Sequence, residues 1–144
     1  KALPGFKDLS DGVKKIGKDG DFITTWGGRQ YYQEDSILIQ GRMVDFGYKL
    51  LNYLVQGSSA DITKEAMIRY DDVKQDGRLM LSVYDEIDIS CPKKALKKEM
   101  LILREAMMSI EVDVPLLSDG EAGVNLGNLI ALKEPAPSLA RWGI

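Results

Sequence analysis

The segment Leu79–Ser90 constrains the fold most strongly, because apolar residues alternate on both sides of two adjacent carboxylates. Alternation with a period of two is typical of β-strands that bury one face. The apolar residues can share that face only if Val83 lies opposite Ile87. This register predicts a β-hairpin with the three-residue turn Tyr84-Asp85-Glu86. Its buried face would contain Leu79, Leu81, Val83, Ile87 and Ile89.

The predicted turn has an unusual composition for its length. Three-residue hairpin loops usually have Gly or Asn at a left-handed position, and this turn has neither. Departures from local turn preferences are often found at functional sites. Asp85 and Glu86 are therefore candidate functional carboxylates, and an ordinary exposed turn is the alternative that the segment alone leaves open.

The residue composition excludes several kinds of chemistry. With 144 residues, of which 44% are hydrophobic, the chain is long enough for one globular domain with a core. The absence of histidine excludes an imidazole base, imidazole metal ligands and Ser-His or Cys-His nucleophiles. The single cysteine, Cys91, excludes an internal disulfide and a cysteine metal cluster, so we expect a small core or cap residue. Catalysis would depend on carboxylates, Lys, Arg or Tyr.

Charge and hydropathy suggest the environment of the protein. A net charge of −3 argues against a free-standing nucleic-acid binder, although a groove can be basic on an acidic protein. No apolar run approaches the roughly 20 residues that span a bilayer, and the N-terminal residues lack the hydrophobic segment of a signal peptide. We expect a soluble, cytoplasmic protein without a membrane partner. Because the sequence starts at Lys1 rather than Met, we also expect a fragment, a processed product or a trimmed chain.

Hydrophobic periodicity predicts the elements of the first half of the chain. Apolar residues at helical spacing predict a short helix within Lys1–Gly20. The stretch Phe22–Tyr32 predicts a hairpin with a two-residue Gly27-Gly28 turn. We interpret Glu34–Gly41 as a loop and Arg42–Val73 as the longest helix.

The second half predicts a helix that covers the hairpin. Pro92 suits the first helical position, and the helix should pack on the hairpin's apolar face through Leu96, Met100, Leu103, Met107 and Ile110. A lysine cluster near its start is either a solvated face or a phosphate contact, and it comprises Lys93, Lys94, Lys97 and Lys98. Pro115–Leu117 predicts a short returning strand, and residues 135–144 predict a loose tail.

Two amide side chains lie four residues apart on the long predicted helix. Asn52 and Gln56 therefore project from one face, with Thr63 further along it. Each amide offers a donor and an acceptor, which suits contact with the acceptors that all base pairs display in the minor groove. An ordinary helix surface is the alternative.

Four motifs, in order, resemble the C-terminal part of the family A DNA polymerases, which include bacterial DNA polymerase I and many phage replicases. Thr25–Tyr32 resembles the family's Thr-x-x-Gly-Arg-x-x-Tyr segment, and Asn52–Ile62 is similar to its Asn-x-x-x-Gln-Gly-Thr-Ala-Ala-Asp-Ile helix. Tyr84-Asp85-Glu86 resembles motif C, usually His-Asp-Glu. The closing strand of the family is similar to Asp113–Leu117 with Gly123 and Asn125.

The resemblance implies roles for these residues. It makes Asp85 one of two aspartates that hold a pair of Mg²⁺ ions for nucleotidyl transfer, with Glu86 in support. It places Asn52 and Gln56 in the minor groove near the primer end, Tyr84 at the primer terminus, and Arg29 at the DNA backbone. Its partners would be a DNA primer-template and deoxynucleoside triphosphates. Glu86 favours a DNA polymerase over the related single-subunit RNA polymerases, which usually have Ser there.

The sequence departs from the family at two positions and lacks two motifs. Tyr84 stands where the family usually has His, and Leu126 where it usually has Trp, so we expect altered positioning rather than lost chemistry. Motif A, with the second metal aspartate, and motif B, with the triphosphate-binding residues, are not recognisable. We therefore expect the chain alone to be inactive and to need a polypeptide that carries motifs A and B.

The predicted fold class is α+β, an antiparallel palm sheet with the motif C hairpin backed by long helices. Residues 1–40 would form the base of the fingers, residues 41–134 the C-terminal palm portion, and residues 135–144 the tail. The competing hypothesis is a non-catalytic module that grips duplex DNA or scaffolds a replication complex while retaining the polymerase fold.

Overall fold

The computed structural model describes residues 4–132 as two compact units, which divide between Ile62 and Thr63. Unit 1 and unit 2 denote the described residues on either side of this division. The described chain contains three helices and four antiparallel two-stranded sheets, which confirms the α+β class. The elements are α1 Phe6–Lys18, β1 Phe22–Thr24, β2 Gln30–Tyr32, β3 Ile37–Ile39, β4 Arg42–Val44, α2 Gly47–Val73, β5 Arg78–Val83, β6 Glu86–Ser90, α3 Leu96–Met108, β7 Glu121–Gly123 and β8 Leu129–Ala131.

The first helix of unit 1 confirms the prediction within Lys1–Gly20. Helix α1 follows Gly5, whose φ of 82° lies in the left-handed region, and buries Val13 against Ile23 and Leu50. Tyrosine and leucine side chains close this core, namely Tyr31, Leu51, Tyr53 and Leu54. The core therefore joins α1, the first hairpin and the start of α2.

The Gly27-Gly28 hairpin forms, but its predicted two-residue turn is wrong. Strands β1 and β2 pair with Thr24 opposite Gln30, and the Thr25 N–H donates to the Arg29 carbonyl over 2.8 Å. The loop therefore has three residues, Trp26 to Gly28, and Gly28 takes the left-handed position with φ 87°. A type I turn followed by a left-handed glycine is the common geometry for this loop length.

The prediction of a loop over Glu34–Gly41 is also wrong. Strands β3 and β4 form a second hairpin, in which Ile39 pairs with Arg42. The connecting residues Gln40 and Gly41 have φ values of 51° and 79°. Two successive left-handed residues allow a two-residue turn that follows the strand twist. The long helix consequently begins at Gly47 rather than Arg42.

The hairpin of unit 2 forms where the sequence predicts it, but in a different register. Val83 pairs with Glu86 rather than with Ile87, so the turn has two residues, Tyr84 and Asp85. The pairing shifts between Leu79 and Leu81, which leaves Met80 as an extra residue on β5. A β-bulge of this kind adds one residue to one strand and reverses the facing of every side chain beyond it.

The bulge changes which side chains share a face. Ile87 is buried and lies opposite Ser82, whereas Leu81 pairs with Asp88 and Val83 with Glu86 on the other face. Leu81 and Val83 are consequently exposed, at 41% and 45%. The prediction of a single buried face was wrong because it assumed two regular strands.

The remainder of unit 2 corrects two further predictions. Helix α3 begins at Leu96, since Pro92 starts a turn closed by the Ala95 N–H. Of the predicted stripe, Leu103 is buried within the helix and Ile110 just beyond it, and Ala106, outside that stripe, is buried as well. Pro115–Leu117 is not a strand; β7 and β8 pair with each other instead, and within residues 4–132 the β5–β6 hairpin has no third strand.

Two expectations concern the ends of the chain and membranes. The predicted tail at residues 135–144 lies outside the described residues. Among residues 4–132, no helix has both the length and the apolar character needed to cross a bilayer.

Candidate functional site

The tip of the β5–β6 hairpin is exposed and conformationally strained. Tyr84 is 93% exposed and has a φ of 55°, in the left-handed region. This conformation costs a non-glycine residue about 1–2 kcal/mol. Glycine usually occupies the first position of a two-residue turn with positive φ there. The tip therefore presents an aromatic ring at a position where turn geometry favours Gly.

Two carboxylates accompany this ring. Asp85 completes the turn and Glu86 begins β6, and both side chains are exposed. The hydrogen bonds and ion pairs found within residues 4–132 involve neither carboxylate. Carboxylate oxygens are the ligands that Mg²⁺ prefers, and Mg²⁺ commonly binds one or two protein carboxylates together with substrate phosphates. The two residues therefore fit Mg²⁺ by donor chemistry, although the described part of the chain contains no group of three or more possible metal ligands.

Helix α2 carries the amide pair and the Asp61 contact on different sides. Asn52 and Gln56 are exposed, and a pair four residues apart projects from one side of a helix. Gly57 and Asp61 lie about 140° further around the helix axis at 3.6 residues per turn, and they contact the β1–β2 loop. Thr63, which the sequence placed with the amides, is buried. The amide pair is thus exposed on a helix whose other side is fixed to the hairpin.

Asp61 is the centre of the contact between α2 and the β1–β2 loop. Its carboxylate accepts hydrogen bonds from the Thr25 hydroxyl at 2.5 Å and the Gly27 N–H at 3.0 Å. It also lies 2.6 Å from the Arg29 guanidinium. Burial raises the pKa of Asp61, but the hydrogen bonds and the Arg29 charge outweigh it, so the pKa lies below its usual value.

Arg29 contacts both Asp61 and Gly57, although its side chain remains partly exposed. Its Nη2 donates to the Gly57 carbonyl at 2.9 Å and pairs with Asp61, while the side chain is 42% exposed. The guanidinium has five N–H donors in all. The family resemblance implies only a DNA contact for Arg29, whereas the geometry also gives it a contact that fixes the loop to α2.

Helix α3 contains a buried carboxylate that was not predicted from the sequence. Glu99 is completely buried, and it accepts hydrogen bonds from the Tyr70 hydroxyl at 2.8 Å and from the N–H groups of Gln75 and Asp76 at 3.1 and 2.8 Å. Burial raises its pKa, but these hydrogen bonds bring the pKa below its ordinary value. The signal was present in the sequence, because Glu99 lies on the buried stripe of α3 with Leu103 and Ala106.

The two units carry different candidate residues. Unit 2 brings Tyr84, Asp85 and Glu86 together at one hairpin tip. Unit 1 carries the Asn52 and Gln56 pair on α2, together with Arg29, which pairs with Asp61.

The chain is similar to known proteins of one family. The sequence model described as DNA polymerase family A matches residues 1–128. The DNA polymerase I of Caldicellulosiruptor bescii is 30% identical over 129 residues, and that of Geobacillus stearothermophilus is 30% identical over 128 residues. Each alignment covers 85% of this chain and 15% of the relative.

This chain is also similar to a solved polymerase structure. The POL domain of Pol1 from M. smegmatis, in complex with DNA primer-template and dNTP, is 33% identical with a TM-score of 0.66. The match covers 78% of this chain and 21% of that chain. Because the family model matches well over half of the chain, this chain belongs to the family A DNA polymerases. It spans about 15% of the length of the curated relatives.

Proposed function

We propose that this chain contributes the C-terminal palm portion of a DNA-directed DNA polymerase, in which Asp85 binds a catalytic metal ion. The observation that carries the proposal is the β5–β6 tip, where adjacent exposed carboxylates stand on a strained turn in a family A chain. Strained backbone at an exposed polar turn is characteristic of functional sites.

Asp85 would hold the metal ion and Glu86 would support it as a nearby carboxylate. When bound, Mg²⁺ stabilises the charge that develops during nucleotidyl transfer and favours ionisation of the primer 3′-hydroxyl. The chain's own contribution is to present oxygen donors at the end of a two-residue turn. Because strand β6 begins at Glu86, the Glu86 side chain projects from one face of the hairpin while Asp85 stays at the tip.

The other site residues would position the nucleic acid. Asn52 and Gln56 present paired amides that suit minor-groove acceptors, and Tyr84 presents an exposed ring that can stack at the primer terminus. Arg29 would contact the DNA backbone through N–H groups other than those used by Asp61 and Gly57. The M. smegmatis relative binds a primer-template and dNTP, which supports the same partners here.

The proposed site needs more than this chain. Motifs A and B are not recognisable in the sequence, and a second metal aspartate is part of the family's site. We propose that a polypeptide with motifs A and B, upstream or separate, completes the site. Residues 1–40 would form the base of the fingers, and residues 41–134 would form the C-terminal palm portion.

Primer extension tests the proposal. The chain is combined with the polypeptide that carries motifs A and B, and extension of a labelled primer is measured with Mg²⁺. Asp85→Asn should reduce the rate by about 10³-fold or more, because loss of a metal-binding carboxylate removes charge stabilisation in the transition state. The chain alone should give no extension.

Asp88→Asn provides the matched control, since it removes a carboxylate from the same hairpin three residues away. It should retain extension close to the unmodified rate. Duplex binding without extension in every mixture would favour the non-catalytic module. Full extension by Asp85→Asn would contradict the metal-binding role of Asp85.

A further inference from the structure

We propose that Glu99 and Tyr70 are positioning residues, which fix the direction of the β5–β6 hairpin and thereby the position of Asp85. This inference rests on the proposed metal-binding role of Asp85. The Glu99 cluster consists of Tyr70, Gln75, Asp76, Gly77 and Glu99.

The cluster lies at the base of the hairpin. Helix α2 ends at Val73 and strand β5 begins at Arg78, so a short connection separates them. Glu99 Oε1 accepts hydrogen bonds from two consecutive N–H groups of this connection, at Gln75 and Asp76. The Tyr70 hydroxyl donates to Oε2 from the last turns of α2. One carboxylate thus ties α2, the connection and α3 together.

The other strand of the hairpin also ends beside the cluster. Strand β6 ends at Ser90, and the chain then turns through Pro92 to Ala95 into α3, which carries Glu99. Cys91 lies beside the cluster, and burial together with the charges of Glu99 and Asp76 raises the pKa of its thiol. Both strands therefore begin or end beside the same buried carboxylate.

The far end of the hairpin has little support within the described residues. Leu81 and Val83 are exposed, and the sheet has two strands in that part of the chain. From Arg78 to Val83 a strand extends about 17 Å at about 3.3 Å per residue. A tilt of about 5° at the base would therefore move the tip by about 1.5 Å, and a misplacement of about 1 Å can cost about 100-fold in rate.

Close packing at Gly77 agrees with a rigid base. A Cβ on Gly77 would overlap the Tyr70 hydroxyl and lie 2.6 Å from Glu99 Oε2. Only glycine lets the connection approach the cluster this closely. The hydrogen-bonded Glu99 cluster, rather than general apolar packing, therefore requires glycine at position 77.

Tyr70→Phe and Glu99→Gln test the inference with small changes of shape. Tyr70→Phe removes one donor, while Glu99→Gln places an NH₂ group where the carboxylate accepted hydrogen bonds. Amide hydrogen exchange is measured in the chain, and Mg²⁺-dependent primer extension and primer-template affinity are measured with the polypeptide that carries motifs A and B. We expect faster exchange along β5 and β6, a fall in extension rate of about 10- to 100-fold, and unchanged DNA affinity.

Leu103→Ala is the matched control, because Leu103 is buried on the same helix and lies outside the cluster. It should lower the unfolding midpoint at least as much as Tyr70→Phe. Below that midpoint it should leave hairpin exchange and the extension rate close to those of the unmodified chain. A lower extension rate with unchanged primer-template affinity indicates a positioning role. A general loss of stability would not produce this difference.

The outcomes distinguish this inference from the proposed function. If Asp85→Asn abolishes extension but Tyr70→Phe and Glu99→Gln match Leu103→Ala in both exchange and rate, the positioning role is overturned and the function stands. If Asp85→Asn leaves extension unchanged, the proposed function fails. Amide hydrogen exchange in the hairpin then tests the inference by itself. If exchange in Tyr70→Phe and Glu99→Gln equals that in Leu103→Ala, the Glu99 cluster does not fix the hairpin.

Discussion

The Asp61 carboxylate accepts a hydrogen bond of 2.5 Å from the Thr25 hydroxyl, although 36 residues separate them in the sequence. The same carboxylate accepts from the Gly27 N–H and pairs with Arg29. It therefore fixes the loop after β1 to helix α2 by contacts that favour its ionised form. The ionised Asp61 carboxylate therefore holds α2, which carries Asn52 and Gln56, to this loop.

The first prediction concerns acid stability of unit 1. Because the folded pKa of Asp61 is lowered, its contribution is present above the unfolded pKa of about 3.9 and is lost as pH falls through the lower folded pKa. Asp61→Asn should cost about 1–3 kcal/mol at pH 7, and the difference should shrink as pH falls below about 4. Urea unfolding at several pH values measures it.

The exposed Asp35 gives the control for this prediction. Asp35→Asn should change the free energy of unfolding by less than about 0.5 kcal/mol at every pH. An Asp61→Asn difference that stays constant down to pH 2 would show that ionisation of Asp61 is not what stabilises the loop.

The sequence predicted those elements whose pattern is local. Helix α1 and the hairpin at Phe22–Tyr32 follow from helical spacing and from glycine at the turn. The hairpin at Leu79–Ser90 was predicted as well, together with its carboxylates at the tip. Its register was wrong because the Met80 bulge is not encoded by alternation, and one extra residue reverses the facing of Leu81 and Val83.

The remaining errors concern features that tertiary contacts decide. Gln40 and Gly41 form a tight turn by adopting left-handed conformations, and a Gln before Gly is a weak hairpin signal compared with Asn-Gly. Glu99 is buried because N–H groups from residues 75 and 76 reach it, more than twenty residues away. Its place on an apolar stripe was the one local sign of this role.

The second prediction uses a glycine where the hairpin approaches α2 closely. A Cβ on Gly57 would lie 2.8 Å from Thr25 Cγ2. Alanine is otherwise favoured over glycine in a helix by about 1 kcal/mol, but here Gly57→Ala should destabilise unit 1 by about 1–3 kcal/mol through overpacking. Thermal unfolding measures the change.

Gly12 provides the matched control in α1, since a Cβ there would meet nothing within 4 Å. Gly12→Ala should stabilise the chain by about 0.5–1 kcal/mol. If Gly57→Ala and Gly12→Ala shifted the midpoint in the same direction, the close approach of the hairpin to α2 would be refuted.

The third prediction separates turn strain from function at Tyr84. Tyr84→Gly relieves a left-handed conformation that costs about 1–2 kcal/mol, and this gain is partly offset by about 0.5–1 kcal/mol of backbone entropy. The free energy of unfolding should stay within about 1 kcal/mol of the original or rise. Primer extension should nevertheless fall, because the exposed ring at the tip is lost.

Tyr84→Phe keeps the ring and should retain most of the extension rate. Comparison of the two variants assigns the loss to the aromatic face rather than to the turn. A Tyr84→Gly variant with the full extension rate would show that no stacking contact is made by Tyr84.

The last prediction concerns the amide pair on α2. Asn52→Ala and Gln56→Ala should each weaken primer-template binding about tenfold, equivalent to about 1.4 kcal/mol, because each removes groove contacts. The salt dependence of binding should stay unchanged, since amides contact base edges and release no counterions. Fluorescence anisotropy over a salt titration, with the polypeptide that carries motifs A and B present, measures both quantities. Gln30→Ala removes an exposed amide from strand β2 and should leave the affinity unchanged. Equal losses in all three variants would refute a specific contact by the α2 pair, and so would unaltered affinity in Asn52→Ala and Gln56→Ala.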